Sequence, residues 1–297
     1  MAGCSSLNLE KKRKAMHMKS IRKGVFVLSL VLILVGLGMA FQYWMNGRAN
    51  QKAHVALQDI RTGQVEETVS AANRELQSRV IEPESALLGQ MQVERDEWMV
   101  SDNSHYDFLE MNPDYVGWIK IDDTLVDYPI VRAADNDYYL DRDFQRQKNK
   151  AGAIFMDYRN IGNGDDPHTL IYGHNMRDQS MFHNLRKFRD KQFFADHEYI
   201  TVDYLFGAVR YQVFAAYLTT AADVILDIRF DEKTFPEFDA TARREAELYR
   251  EVKLQASDQI LTLATCAYDF EDARLIVHAR RVDEGIVSWA TENQFSR

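Results

Sequence analysis

From Val116 onward the chain breaks into eight short runs rich in β-branched and aromatic residues: "VGWIKI", "VDYPIV", "GAIFMD", "HTLIYGH", "YITVDYLF", "YQVFAAYLTT", "QILTLATC" and "RLIVHARRV". Asp, Asn, Gly or Pro sit at their margins and punctuate them as turns. Strands this short and this numerous expose many unpaired edges unless the sheet closes on itself, so the pattern predicts a closed or nearly closed β-barrel. One strongly helical stretch, "DEKTFPEFDATARREAELYREV", interrupts the series between the sixth and seventh runs. The expected class is therefore mainly β with helices.

The N-terminal part has a different texture. Residues 1–23 carry Lys11, Lys12, Arg13, Lys14, Lys19, Arg22 and Lys23 against Glu10 alone, and no charged residue follows until Arg48. An apolar run of about 20 residues is long enough for a helix to cross a hydrocarbon core of ~30 Å. The expectation is a cytoplasmic basic segment over 1–23, a single-pass transmembrane helix over 24–45 and a catalytic domain outside the cell, because basic residues stay on the cytoplasmic side. A cleaved signal peptide is the alternative, with small residues at Gly38 and Ala40. Residues 46–111 are polar and helix-friendly. They are expected to form a stalk of two or three helices broken near Pro83, ahead of a barrel domain over 112–297. The whole chain carries a net charge of −9 despite its basic start. That acidity argues against nucleic acid as a partner, which would require a basic face.

The chain has two cysteines, Cys4 and Cys266. With a membrane expected between them, no disulfide joins them. Cys266 is then an odd thiol in an oxidising compartment, either an intermolecular bridge or a reactive group. A thiol attacks as thiolate and needs an acid–base partner and a donor for developing negative charge. Among the histidines, His174 stands out: "LIYGHNM" ends an apolar strand, and Gly173 frees the backbone where a side chain must be aimed out of the sheet. His278 lies roughly 13 Å along the last strand from Arg274 and is expected to be a packing residue. His168, His183 and His197 read as ordinary histidines. Cys266 closes one strand and Arg274 opens the next, which puts both at one end of a hairpin. Arginine presents five donors in a fixed fork, suited to an oxyanion, and a salt bridge to Asp269, Glu271 or Asp272 is the bland alternative.

"TLATC" with an arginine eight residues on, and "LIYGHNM" about ninety residues earlier, resemble the sortases, the membrane-anchored cysteine transpeptidases of Gram-positive bacteria. "NPDYVGWIKIDDTLVDYPIVRAADNDYYL", "KAGAIFMDYRN" and the helical insertion are similar to class B sortases in particular. The resemblance runs from about Tyr106 to Val282. It implies a sortase-like closed eight-stranded β-barrel with N-terminal helices and a helical insertion before the cysteine strand. It also implies His174, Cys266 and Arg274 as the catalytic set, with Asn136, Leu140, Tyr172 and Thr265 lining the peptide groove. The implied reaction cleaves a C-terminal sorting signal after a threonine, forms a thioester on Cys266 and passes the acyl group to an amine of a cell-wall precursor. A lysine of a pilin subunit is the alternative acceptor. No cofactor or metal is implied, and the histidines and cysteines lack paired ligand spacing such as CxxC or HxxxH. Ala264 and Ala267 depart from some relatives, which carry serine and an acidic residue there, and this leaves the sorting motif open. Two rivals differ in kind. A papain-like peptidase would place its cysteine before its histidine, the reverse of the order here, and a non-catalytic surface module would not need the thiol.

Overall fold

The computed structural model describes residues 31–42, 44–45, 47–63, 105–220, 227–230, 233–267 and 269–282. The chain divides into two compact units, Met1–Ala53 and His54–Arg297. In the first, the described residues from 31 onward are helical. The single-pass anchor expected over 24–45, with its membrane localisation, is corrected: among the described residues no helix is long and apolar enough to cross a membrane. The described apolar stretch starts at Val31, and the described helical residues that follow in this unit include the polar sequence around Arg48 and Lys52. Residues 24–30 and the expected break near Pro83 lie outside the described residues.

The described residues of the second unit form nine strands: β1 (Tyr115–Lys120), β2 (Asp127–Val131), β3 (Ile154–Met156), β4 (His168–Tyr172), β5 (Tyr199–Tyr204), β6 (Gly207–Thr220), β7 (Leu248–Tyr249), β8 (Ile260–Cys266) and β9 (Ala273–Arg281). Their order is β5-β1-β2-β3-β4-β8-β9-β6, and β6 pairs back onto β5. Eight strands thus close a barrel and no edge of the ring is left open. These eight are the runs expected from the sequence. β2–β3 and β4–β8 are parallel pairs, and the other ring pairs are antiparallel.

β7 lies outside the ring. It pairs with β6 through Ala215↔Tyr249 and Ala216↔Leu248. The sequence predicts one helix through "ELYREV", but the helix that forms, Thr234–Glu245, ends where Ala246 turns extended. Leu248 and Tyr249 become a strand because long β6 has free backbone groups beyond its pairing with β5, which stops at Gln212. Pro236 sits in the first turn of this helix, where its missing N–H costs nothing.

Alternation along each strand sorts the side chains into inner and outer sets. Ile119, Ile130, Ile171, Val202, Val213, Leu261, Leu263 and Val277 fill the barrel. Trp118 faces outward with Phe108 of a short helix (Tyr106–Met111), Tyr115, Tyr139, Phe144 and Leu57. Helical residues 54–63 belong to this unit. Gln58 Nε2 donates to Asp127 at 3.2 Å, Arg61 pairs with Asp203 at 3.0 Å, and the Arg61 guanidinium lies 4.7 Å from the Trp118 ring centroid. On another face, Phe235, Phe238 and Ala242 of the insertion helix pack on Phe214 and Ile260.

Candidate active site

Three adjacent strands deliver the three side chains expected to be catalytic to one rim. β4 and β8 run parallel with Tyr172 opposite Ala264, so both carry their C-terminal ends, His174 and Cys266, to the same side. β9 runs back antiparallel, and Cys266 and Arg274 are direct register partners. The Gly173 N–H donates to the Ala264 carbonyl at 3.3 Å, extending the β4–β8 ladder one step past the strand. Cys266, His174 and Arg274 are each half-buried, and the Cys266 thiol is free.

Gly173 is required here by space. A Cβ would sit 2.4 Å from Ile154 Cδ1 and 2.8 Å from Phe182 Cδ2, inside any real contact distance. Tight packing, not a left-handed backbone, turns the chain out of β4.

His174 Nε2 lies 2.7 Å from the Leu140 carbonyl oxygen. A carbonyl only accepts, so Nε2 carries the hydrogen and Nδ1 is the nitrogen left to exchange a proton. Leu140 ends a 3-10 turn, Tyr138–Leu140, and its side chain is exposed. Gly152 lets a neighbouring loop pass beneath: its φ is +61°, and a Cβ would lie 2.6 Å from the Tyr139 oxygen and 3.0 Å from His174 Cδ2.

Arg274 Nη1 donates to the Ala273 carbonyl at 3.0 Å. That carbonyl also accepts from the Ala267 N–H at 2.8 Å, so the N–H just past the cysteine is already engaged. Among the described residues Arg274 forms no ion pair. Asp269, an expected rival partner, is held by Arg189 at 2.9 Å. Asp272 takes a left-handed φ of 55° before β9 begins, a conformation Asp tolerates better than most residues.

The other expected residues fall around this rim. Asn136 and Tyr172 both reach Asp157: Asn136 Nδ2 donates to Oδ2 at 2.9 Å, and the Tyr172 hydroxyl donates to the same oxygen at 2.9 Å. Burial, and then the Asp157 charge, push the Tyr172 phenol well above its ordinary value, so it stays neutral. Thr265, next to the cysteine, is only 3% exposed, and among the described residues its Oγ1 has no hydrogen-bond partner.

Sequence reasoning missed two residues. Asn175 follows the histidine, and its Nδ2 donates to the Cys266 carbonyl at 2.9 Å while its Oδ1 lies 2.8 Å from His183 Nδ1. Its place in "YGHNM" was the available signal. Asp157 sits in "GAIFMDYRN", but nothing local reveals that its carboxylate gathers residues from two other segments.

A family model described as "Sortase domain" matches residues 119–282. Sortase B of Listeria monocytogenes is 40% identical over 181 residues, covering 59% of this chain and 73% of that protein. The structure of Clostridium perfringens sortase B superposes with a TM-score of 0.57 at 33% identity, covering 60% of this chain and all of that one. A Streptococcus pyogenes class B sortase involved in pilus biogenesis superposes with a TM-score of 0.55 at 30% identity, covering 59% of this chain and 96% of that one. The chain belongs to the sortase family, a family of cysteine transpeptidases. Its relatives place it in class B.

Proposed function

We propose that this sortase cleaves a C-terminal sorting signal after a threonine, with Cys266 as nucleophile, and transfers the new acyl group to an amine of a cell-wall precursor. The Cys266 sulfur attacks the threonine carbonyl carbon, and the developing oxyanion takes hydrogen bonds from Arg274. His174, as imidazolium, gives its Nδ1 proton to the leaving amine while Nε2–H stays on Leu140. The C–N bond breaks and a thioester remains. The incoming amine attacks that thioester, His174 takes up its proton, and sulfur departs as a new amide forms. Leu140, Asn136, Tyr172 and Thr265 bind the peptide in this reading. Each step is proton or acyl transfer, so these side chains suffice without a cofactor.

The observation that supports it best is the register of β4, β8 and β9, in which Cys266 pairs with Arg274 while Asn175 ties the His174 loop to the Cys266 carbonyl. A panel of Thr-containing sorting peptides, incubated with wall-precursor amines and with a pilin-type lysine peptide, tests it by mass spectrometry of the products. A ligated product with the wall amine is expected. The pilin lysine is the second reading, favoured only by the Streptococcus pyogenes relative. Ligation to that lysine alone would replace the acceptor, and no ligation to either amine would overturn the reading.

A further inference from the structure

We propose that Asp157 is a positioning residue for the peptide groove, holding Asn136 and Tyr172 in the orientation in which they meet the sorting peptide. This rests on the groove assignment above. Asp157 follows β3, and its side chain is fully buried. Its carboxylate accepts five hydrogen bonds: Arg159 Nε at 2.7 Å and backbone N–H at 3.0 Å on Oδ1, then Arg159 Nη2, Asn136 Nδ2 and the Tyr172 hydroxyl, each at 2.9 Å, on Oδ2. Burial by itself would raise the carboxyl, but these donors outweigh it and hold the group below the usual carboxylate range. A buried charge is tolerated only when paired and saturated in this way.

The charge also dictates what the groove residues offer. A carboxylate only accepts, so the Tyr172 hydroxyl proton is committed to Asp157, and Tyr172 Oη, which the Arg159 guanidinium also approaches, can meet a ligand only as an acceptor. Asn136 is fixed at both ends, because its Oδ1 accepts the Tyr158 N–H at 3.0 Å. Its amide therefore cannot flip, and one Nδ2 hydrogen remains for a ligand. Asn136 comes from the loop after β2 and Tyr172 from the end of β4. One buried oxygen thus sets the polarity of two groove residues on separate segments: an acceptor at Tyr172 and a donor at Asn136. A peptide bound there would present an N–H to the tyrosine and a carbonyl to the asparagine.

The test uses the full chain and the Thr-containing pentapeptide that the wild-type enzyme turns over fastest. Asp157→Asn keeps the shape, yet its amide cannot accept all of these donors. The expected result is KM raised about tenfold with kcat changed less than about threefold, as for lost ground-state binding. The rate of Cys266 labelling by a methanethiosulfonate reagent should stay unchanged. Asp157→Asn combined with Tyr172→Phe should be no worse than the poorer single variant, because both remove the same contact. Unchanged KM, or a fall in kcat and thiol labelling that tracks lost thermal stability, would overturn the proposal. If Asp157→Asn does not fold, the Asn136→Ala and Tyr172→Phe cycle decides: coupled effects support a shared anchor and additive effects overturn it. Absence of wild-type turnover on every peptide would instead overturn the transpeptidase reading.

Discussion

His174 donates its Nε2 hydrogen to the backbone carbonyl of Leu140 across 2.7 Å, so the residue that orients the imidazole also exposes its own side chain, which the proposed function places against the peptide. Gly152 makes room for that contact with a φ of +61° that a side chain rarely adopts. Gly152→Ala should therefore cost about 1 kcal/mol or more from the strained backbone. It should also lower kcat at least about tenfold, since a misplaced acid–base group forfeits most of its contribution. Steady-state kinetics and thermal unfolding on the same sample check this. Wild-type kcat in a folded variant would show that the Leu140 contact does not govern His174.

Asn175 links the histidine loop to the cysteine strand through the Cys266 carbonyl, and His183 braces it from behind. Asn175→Ala removes both contacts. The expected loss is about 1 kcal/mol of stability per hydrogen bond, with kcat lowered about tenfold. Asn175→Asp cannot donate to a carbonyl and should behave the same way. Peptide turnover and urea unfolding separate the two effects.

Thr265 carries a buried hydroxyl without a partner among the described residues, which ordinarily costs about 1–3 kcal/mol. In the proposed reaction that cost is offset by a role for the hydroxyl beside Cys266. Thr265→Val should leave thermal stability equal or higher while lowering kcat/KM for the sorting peptide. Equal kcat/KM would remove Thr265 from the proposed groove.

Two buried histidines make the fold acid-sensitive. His168 Nδ1 faces the Asp227 carbonyl at 2.6 Å and must donate to it, so its Nε2 accepts from the Thr262 hydroxyl at 2.7 Å. Thr262 then accepts from His278 Nδ1 at 2.7 Å, and the Tyr217 hydroxyl donates to His278 Nε2 at 2.9 Å. Every hydrogen in this chain is spoken for only when both rings are neutral. Burial pushes His168 down to about 4 from an ordinary 6.5 and carries His278 down as well. The unfolded chain therefore binds protons from about pH 6.5 downward while the folded chain refuses them until about pH 4. Stability is fully present above pH 6.5 and is lost as pH falls through that window, by about 3 kcal/mol from His168 alone. Urea midpoints at pH 7, 6 and 5 should fall in that order, ahead of any titration of carboxylates. A flat profile from pH 7 to 5 would contradict the network.

Much of the barrel was legible because each of its strands announces itself locally. β-branched and aromatic residues alternate between breakers, and closure follows from the number of edges. Cys266 and Arg274 could be paired from one hairpin, a short-range relationship. β7 was not legible, because "LYREV" continues the helical composition before it, and Leu248 and Tyr249 become a strand only where β6 offers unpaired backbone. Asp157 and Asn175 were hidden for a related reason. Their partners Asn136, Tyr172 and Cys266 come from distant segments, and long-range hydrogen bonds leave no periodic trace. The role expected of Gly173 also changed, from backbone freedom to room for Ile154 and Phe182. The apolar run near the N-terminus reads as a membrane span from hydropathy alone, yet the described helix there passes into polar sequence.

In the proposed reaction the Cys266 sulfur becomes acylated beside Arg274 and His174. The direct measurement is mass spectrometry of the intact enzyme quenched in acid after mixing with a sorting peptide and no amine, followed by peptide mapping. The expected result is an adduct equal to the N-terminal peptide fragment through its threonine, located on Cys266, released by hydroxylamine and absent from Cys266→Ala. Turnover of the peptide by Cys266→Ala at the wild-type rate, or an adduct on another residue, would contradict it.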